Sequence, residues 1–198
     1  MLGVADMQTR IEIAAPLVDV DTQRLRLRRF QVDDLSELET IFAKPQVWNF
    51  PYGRGLSRSE TATFLNTQIA GWETNKFGCW IAIERNTGRA VGYLGLSIPT
   101  FLPEVLPAVE VGWRLDPDVW GLGYATEGAT AALQQGFEKL GLEEICSIPQ
   151  SGNTASSQVC ERLGMRWDRT VQIPATDKRG ALAAEFYVMT RRDWETGR

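Results

Sequence analysis

The chain has 198 residues, of which 43% are apolar, and a formal net charge of −4. This length and composition favour one domain with a substantial core, and the negative charge argues against general attraction to nucleic acid or to an anionic membrane. The sequence contains no histidine. Serine–histidine and cysteine–histidine nucleophile pairs and imidazole metal ligands are therefore excluded, and no metal site is expected. Proton transfer is left to carboxylates, hydroxyls or water.

The compartment and the domain organisation follow from three further features. Cys79, Cys146 and Cys160 are odd in number, show no paired spacing and lie in apolar stretches, which predicts buried reduced thiols. The best candidate for a membrane span, residues 91–113, is broken by prolines and glutamates, and the N-terminus lacks the order of a signal peptide. A cytoplasmic protein is predicted, with residues 1–20 as a loose lead-in and residues 21–198 as one domain.

The first part of the chain predicts one strand and two helices. Leu25 and Leu27 alternate with arginines, which is typical of a half-buried strand over residues 22–30. The four arginines between positions 24 and 29 suit the solvated face of an edge strand better than a binding patch. A helix is predicted over residues 32–43 and another over 58–75, where Ser57 and Glu60 match a capping box.

The rest of the chain predicts a mixed sheet. Three antiparallel strands are expected over residues 79–84, 90–98 and 108–115, and a proline-rich loop over 99–107 could cover the substrate or an interface, or simply connect two strands. A helix over 124–140, a short strand near Ile145, a helix over 154–163 capped by Asn153, and strands near 165–173 and 182–190 follow. The prediction is a single α/β domain whose twisted, mostly antiparallel sheet is flanked by about four helices.

The turn between residues 116 and 127 predicts a phosphate site. Gly121 and Gly123 stand where a strand pattern passes into a helical one, so the main chain can approach a ligand closely. The free N–H groups and the positive dipole end of the helix would face that ligand. A dinucleotide fold would need a third glycine where Thr126 stands, and an earlier position in the domain.

Three segments form an ordered set: Val109 to Trp113, Trp120 to Glu127, and Asn153 to Ser156 continued by Glu161 to Met165. This set resembles the GNAT superfamily of acyl-CoA N-acyltransferases, and within it the branch named for the RimJ and RimL ribosomal-protein N-terminal acetyltransferases. The resemblance extends over roughly residues 22–194. It implies a GNAT-like fold, acetyl-CoA as co-substrate and an amine as acceptor.

The resemblance also implies how the coenzyme is held. The family's pyrophosphate motif, Q/R-x-x-G-x-G/A, maps onto residues 120–125, with Trp120 in place of Gln or Arg. Main-chain N–H groups of residues 122–126 would hold the pyrophosphate, and Asn153 would contact the pantetheine arm. The implied cofactor-binding residues are Val111, Leu122, Gly123, Tyr124, Ala125, Thr126 and Asn153. Glu127 is interpreted as a carboxylate that favours the helix N-terminus rather than a catalytic group.

Glu110 is the candidate for proton transfer. In its strand, Val109 and Val111 belong to an apolar face, so Glu110 and Arg114 point to the opposite side. In a GNAT-like sheet that side faces the acceptor groove. The alternative is a solvent-facing glutamate paired with Arg114 or with a neighbouring strand.

Ser156 is the second catalytic candidate. The resemblance to the RimJ and RimL branch implies that its hydroxyl hydrogen-bonds or protonates the departing thiolate. Many other members of the superfamily use a tyrosine four residues later, and the chain departs from them with Cys160 at that position. The alternative is a hydroxyl that satisfies main-chain groups at the helix end.

Trp48, Phe50 and Tyr52 are candidates for the wall of an acceptor pocket, since related enzymes often build that wall between the two early helices. A packed aromatic loop is the alternative. The predicted function is direct acetyl transfer from acetyl-CoA to a primary amine of a peptide or small molecule, by a monomer or homodimer. A non-catalytic acyl-CoA-binding module and an antibiotic acetyltransferase are the other hypotheses.

Overall fold

The computed structural model describes residues 11–177 and 179–197. In these ranges eight strands form one sheet in the order β1-β2-β3-β4-β5-β6-β8-β7. The strands are β1 Val20–Asp21, β2 Leu25–Arg28, β3 Cys79–Glu84, β4 Ala90–Ser97, β5 Glu110–Leu115, β6 Glu144–Ser147, β7 Arg166–Ile173 and β8 Leu182–Thr190. β5 and β6 are parallel and all other neighbours are antiparallel. The predicted mixed, mostly antiparallel sheet is confirmed.

The described residues form six α-helices, two more than predicted. They are α1 Leu35–Phe42, α2 Asn49–Tyr52, α3 Arg58–Asn75, α4 Tyr124–Gln135, α5 Thr154–Arg162 and α6 Arg191–Thr196. The four predicted helices correspond to α1, α3, α4 and α5. The short helices α2 and α6 were missed, because one or two turns carry little periodicity. The helix predicted to end at residue 140 stops at Gln135, and a π-helical turn continues it to Leu140.

Helices cover both faces of the sheet because the strands are apolar on both sides. Against one face, Ala129, Ala132 and Leu133 of α4 pack with Trp80 and Leu94 of the sheet. Against the other face, residues of α1 and α3 pack with the alternate residues of β3: Leu38, Ile41, Phe42, Leu65, Cys79 and Ile81. The predicted buried thiols are confirmed, since all three cysteines are free and buried.

The expectation of an arginine-bearing edge strand is wrong. The strand β2 lies between β1 and β3 in the sheet, so both of its edges are paired. Two of the four arginines form ion pairs: Arg24, just before β2, with Glu127, and Arg28, the last residue of β2, with Asp34. The actual edge strand, β1, was not predicted, because its two residues are too few to show an alternating pattern.

The predicted lead-in lies partly outside the described residues, which begin at 11. From there the chain is fixed to the domain: the main-chain N–H of Ala14 donates to Leu140, and that of Leu17 donates to Lys76, both at 3.0 Å. The Leu17 side chain is fully buried in the core. Within the described ranges, no helix combines the length and the apolar character that a membrane crossing requires.

Candidate active site

The parallel strands β5 and β6 meet near one end and then separate. Glu110 pairs with Cys146, and the main-chain N–H of Cys146 donates to the carbonyl of Val109 at 2.9 Å. The hydroxyl of Ser147 donates to the carbonyl of Val111 at 3.0 Å. In the part of the chain that the structure describes, no further register pair joins these strands. The main chain of β5 beyond Val111 therefore borders a gap in the sheet.

A cleft of about 550 Å³ is lined by both strands and by the segments that flank them. From β5 it receives Glu110, Gly112 and Arg114, the face that strand alternation predicts, together with the half-buried Trp113. Phe101 of the proline-rich loop reaches the same cleft, while the adjacent Leu102 is fully buried in the core. The predicted site residues that also line the cleft are Trp48, Phe50, Tyr52, Asn153 and Ser156.

The carboxyl group of Glu110 is half-buried in this cleft. Burial raises the pKa of Glu110 to about 8, although a hydrogen bond from the Ile148 main chain and the positive charge of Arg114 act in the opposite direction. A carboxyl group with this pKa gains and loses its proton near neutral pH, as a catalytic base must.

Arg114 does not form an ion pair with Glu110, which is one of the two pairings that the alternative interpretation allows; the other, with a neighbouring strand, is represented by the hydrogen bond from Ile148 directly after β6. Its guanidinium donates to the carbonyl of Val47 at 2.7 Å and lies 4.0 Å from the centre of the Trp48 ring. Burial raises the pKa of Tyr93 to about 12 and that of Cys79 to about 12, so these two side chains of the cleft are neutral at physiological pH. The charge that acts on Glu110 is therefore mainly that of Arg114.

The start of α5 lies at the same cleft. The Asn153 side chain accepts a hydrogen bond from the main-chain N–H of Ser156 at 3.3 Å, which confirms the predicted cap. Both residues are half-buried and line the cleft, so the Ser156 hydroxyl can reach a bound molecule there. Cys160, at the position of the family's tyrosine, is fully buried, and burial raises the pKa of its thiol to about 11. Cys160 is therefore not available to a leaving group in the cleft.

Replacing Ser156 by alanine is expected to lower kcat less than about tenfold, because a serine hydroxyl is a poor acid and a single hydrogen bond contributes about 0.5–1.5 kcal/mol. Acetyl-CoA affinity should stay near that of the wild type, since the cap of α5 comes from Asn153. Steady-state kinetics with a titration of acetyl-CoA would measure both. A loss of more than about 1,000-fold in kcat would show that Ser156 is an essential acid.

The glycine turn has the geometry of a phosphate site. Gly121 and Gly123 have φ values of 77° and 83°, which side-chain-bearing residues rarely adopt. The first main-chain bond of α4 runs from the N–H of Glu127 to the carbonyl of Gly123 at 3.0 Å. The N–H groups of residues 124–126 therefore precede the helical ladder and remain open to a ligand. A Cβ built on Gly123 would meet the end of the Arg24 side chain at 3.4 Å, an ordinary contact, so the positive φ rather than a lack of space favours glycine at this position.

Arg24 and Glu127 hold the turn against β2. The Arg24 side chain donates from Nη1 to the carbonyl of Leu122 at 2.7 Å and from Nε to Glu127 at 2.6 Å. Glu127 also accepts from the Thr22 hydroxyl at 2.6 Å and from the Arg24 main chain at 2.7 Å. The interpretation of Glu127 as a general helix-end charge missed these specific partners, which are about a hundred residues away in the chain.

Replacing Glu127 by glutamine is expected to lower the free energy of unfolding by about 1–2 kcal/mol, because three hydrogen bonds to its carboxylate lose their charge. The loss stays moderate since Arg24 is 40% exposed and water can solvate it. The effect would be measured by comparing the thermal unfolding of this variant with that of Glu104→Gln, which changes an exposed residue of the proline-rich loop. Equal unfolding temperatures for the two variants would contradict it.

The structure brings some predicted residues together and leaves others apart. Residues 120–126 do not line the 550 Å³ cleft but lie beyond the far end of β5, about 17 Å along the strand from Glu110. The side chains of Val111 and Tyr124 are buried, so these two residues offer only main-chain groups. Tyr124 directs its hydroxyl to Glu84. Among the described residues, no group of three or more potential ligand side chains could hold a metal ion.

Several site residues were missed at the level of sequence. Arg114 and Gln150 line the cleft, as does Arg179 between β7 and β8. The alternation that singled out Glu110 had placed Arg114 on the same side of the strand, but the sequence indicated no role for it in the site. Gln150 and Arg179 lie on loops with no periodic pattern, and only the pairing of β6, β7 and β8 brings them to the cleft.

Comparisons with known proteins identify a family, related sequences and similar folds. A family described as an acetyltransferase (GNAT) domain matches residues 24–166. The uncharacterized protein YkkB of Bacillus subtilis is 29% identical over 76% of this chain and 87% of its own. The FsC-acetyl coenzyme A-N(2)-transacetylase of Aspergillus fumigatus is 33% identical over 72% of this chain and 63% of its own. RimL, a ribosomal L7/L12 α-N-protein acetyltransferase solved with coenzyme A, has a TM-score of 0.69 at 14% identity, covering 87% of this chain and 97% of its own.

The fold and the family match define a transferase that takes its acyl group from a coenzyme A thioester. The chain belongs to the GNAT acetyltransferase family, since the family match spans well over half of it. The protein is thus an N-acetyltransferase with acetyl-CoA as co-substrate, and its fold is similar to that of RimL. The resemblance drawn from the sequence motifs is confirmed.

Proposed function

We propose that the protein transfers the acetyl group of acetyl-CoA to the α-amine of a peptide or protein, with Glu110 as the base. The position of Glu110 carries this proposal: its carboxyl group is half-buried in the cleft, beside the pair that joins β5 to β6, and the Ile148 main chain hydrogen-bonds it. An amine bound in the cleft meets a proton acceptor at the point where the two strands begin to separate.

The reaction needs no covalent intermediate on the enzyme. The neutral amine attacks the carbonyl carbon of the thioester, a C–N bond forms and the C–S bond breaks. The amine proton passes to Glu110, directly or through a water molecule, and the sulfur leaves as thiolate. The hydroxyl of Ser156 hydrogen-bonds that thiolate. Such proton transfer contributes about 10²–10⁴ in rate.

The basicity of Glu110 favours an α-amine over a lysine amine. The pKa of Glu110 is raised to about 8, and an α-amine has a reference pKa of about 7.7–8.0, so the proton moves between groups of nearly equal affinity. A lysine amine, with a reference pKa of about 10.4, holds its proton more than a hundred times more tightly. About a tenth of α-amines, but only a few in ten thousand lysine amines, are neutral at pH 7.

The coenzyme occupies the gap between β5 and β6 in this proposal. Its pyrophosphate lies on the main-chain N–H groups of Gly123 to Thr126, where the dipole of α4 is positive. The N–H of Leu122, which was also predicted to take part, donates to the carbonyl of Val119 at 3.4 Å instead. Its pantetheine arm follows the main chain of β5 past Val111 and Asn153. The open amides of residues 124–126 and the left-handed conformation of Gly123 support this placement.

A thiol-release assay with acetyl-CoA tests the acceptor class. The panel consists of peptides with a free N-terminus and no lysine, N-acetylated lysine peptides, polyamines and aminoglycosides. We expect the first group to give the highest kcat/KM. Thiol release with lysine peptides alone, or with none of the panel, would contradict the proposal.

A small amine is the second candidate acceptor. The name of the Aspergillus fumigatus relative assigns its acetyl transfer to N(2) of FsC, at 33% identity to this chain. Preferred turnover of polyamines or aminoglycosides over peptides in the same assay would favour this candidate.

A further inference from the structure

Two residues that line the cleft each have a buried side-chain atom for which the described part of the chain supplies no hydrogen-bond partner. The two atoms are Nε1 of Trp48 and Oε1 of Gln150. Trp48 is only 7% exposed. A buried donor or acceptor without a partner is destabilising, and few such atoms occur in native proteins. Each of these two atoms has less than 1 Å² of accessible surface, so a ligand in the cleft pairs with it only after a small movement of the side chains around it.

The indole of Trp48 is held in one orientation. The guanidinium of Arg114 lies 4.0 Å from its ring centre, Tyr52 is stacked on it at 5.8 Å, and Phe42 meets it edge-on at 5.2 Å. A ring fixed on these sides presents its N–H in a constant direction. Trp48 is therefore a preorganised donor.

Gln150 belongs to the other side of the cleft. It follows β6 by three residues, and its main chain forms a bridge with Ala184 of β8 and accepts a hydrogen bond from the N–H of Asn153 at 2.9 Å. Glu110 pairs with β6 through Cys146, whereas Arg114, four residues further along β5, contacts Trp48. β5, which carries Glu110, therefore links the neighbourhood of Trp48 to that of Gln150.

A ligand that satisfies both atoms must offer a hydrogen-bond acceptor to the indole N–H and a donor to the glutamine oxygen. A peptide group offers a carbonyl oxygen and an N–H, and the peptide group that follows an N-terminal residue is one carbon away from the α-amine. An amine without an amide or similar polar pair leaves both atoms unpaired. Such sites discriminate strongly against analogues that lack the polar group.

The other side chains that line the cleft, and their charges, restrict the class of acceptor further. Among the described residues that line the cleft, Glu110 is the only acidic one, and Arg114 and Arg179 are basic. A polycation such as a polyamine or an aminoglycoside is therefore repelled by the two arginines and does not find the several carboxylates that would bind it. The ring-bearing side chains of the wall suit a large apolar or aromatic group: Phe50, Tyr52, Phe64, Tyr93, Phe101 and Trp113.

We infer that the acceptor is an N-terminal α-amine whose first residue is aromatic or large and apolar, with Trp48 donating to the carbonyl of the first peptide group and Gln150 accepting from its N–H. This inference rests on the proposed acetylation of α-amines. It adds the recognition of the peptide group and the preference for the first side chain.

The test compares three acceptors with the full-length enzyme: a lysine-free peptide that begins with Phe, the same peptide beginning with Ser, and 2-phenylethylamine. We expect kcat/KM to be about 10- to 100-fold higher for the Phe peptide than for the Ser peptide, from burial of the ring. We expect it to exceed that of 2-phenylethylamine by a similar factor when kcat/KM is expressed per neutral amine, because 2-phenylethylamine is an alkyl amine with a lysine-like pKa. Equal values for the Phe and Ser peptides, or for the Phe peptide and 2-phenylethylamine, would overturn the inference.

Two variants test the two atoms. Trp48→Phe keeps a ring but removes the N–H, and Gln150→Leu keeps the approximate size but removes the oxygen. Each should lower kcat/KM for the Phe peptide about 2- to 10-fold more than that for 2-phenylethylamine, the effect of one hydrogen bond that only the peptide can form. Trp167→Phe, an exposed position on β7 outside the cleft, is the matched control and should change neither value.

The controls separate this inference from the proposed function. Acetyl-CoA affinity and the unfolding temperature of each variant report whether the fold and the coenzyme site are intact. Acetylation of both peptides with equal kcat/KM in wild type and variants would overturn the role of Trp48 and Gln150 while leaving the proposed function in place. Absence of turnover with every α-amine in the wild type would refute the proposed function itself.

Discussion

Glu110→Gln is expected to lower kcat by about 10²–10⁴ while leaving acetyl-CoA affinity within about twofold of the wild type. The substitution keeps the size and the hydrogen-bonding capacity of the side chain but removes its ability to accept the amine proton. Glu110 lines the cleft and the glycine turn does not, so the coenzyme's phosphate contacts should be unaffected. Steady-state kinetics and a calorimetric titration of acetyl-CoA would measure the two effects.

The pH dependence of kcat/KM tests the same role of Glu110. The pKa of Glu110 is raised to about 8, so the carboxylate that acts as base is depleted as the pH falls below 8. An α-amine acceptor loses its neutral form over the same range. On the acid side, log kcat/KM of the wild type should therefore approach a slope of two against pH, one unit for each proton. The Glu110→Gln variant should retain only the unit that belongs to the amine.

The control is Glu144→Gln, which removes an exposed carboxylate at the start of β6, outside the cleft. It should keep wild-type kcat and the slope of two. A Glu110→Gln variant with the wild-type slope would exclude Glu110 as the base, whatever its kcat.

Gly123→Val is expected to weaken acetyl-CoA binding by roughly 100-fold or more. Loss of two hydrogen bonds to a charged phosphate costs about 1.5–3 kcal/mol each, which sets this scale. The φ of Gly123 is 83°, where a β-branched residue is strained, and a Cβ at this position would meet Arg24 at 3.4 Å. The added side chain both displaces the turn and occupies the space through which a phosphate reaches the amides of residues 124–126.

A matched variant separates the phosphate site from backbone strain. Gly88 has a φ of 70° in the turn between β3 and β4, and a Cβ there would meet nothing within 4 Å. Gly88→Val should lower the unfolding temperature by a comparable amount and leave acetyl-CoA affinity unchanged. If Gly123→Val bound acetyl-CoA as tightly as Gly88→Val, the pyrophosphate would have to lie elsewhere.

Local features of the fold were predictable because they depend on residues close in the chain. The capping box of Ser57 and Glu60 begins α3, and the cap of Asn153 begins α5, as their spacing predicts. The alternation of β5 correctly placed Glu110 on the cleft face. Features that depend on distant residues were not predictable, such as the partners of Glu127 and the position of β2 inside the sheet.

The sequence by itself determined the kind of chemistry. Without histidine, proton transfer was left to carboxylates, hydroxyls or water, and strand alternation made Glu110 the candidate base; two glycines before a helix predicted a close main-chain approach to phosphate. The tertiary structure alone decided the strength of that base and the surroundings of the acceptor. Burial in the cleft raises the pKa of Glu110 to about 8, and loops after β6 and before α2 bring Gln150 and Trp48 to it. Desolvation and long-range contacts arise only when distant segments pack, so no local pattern encodes them.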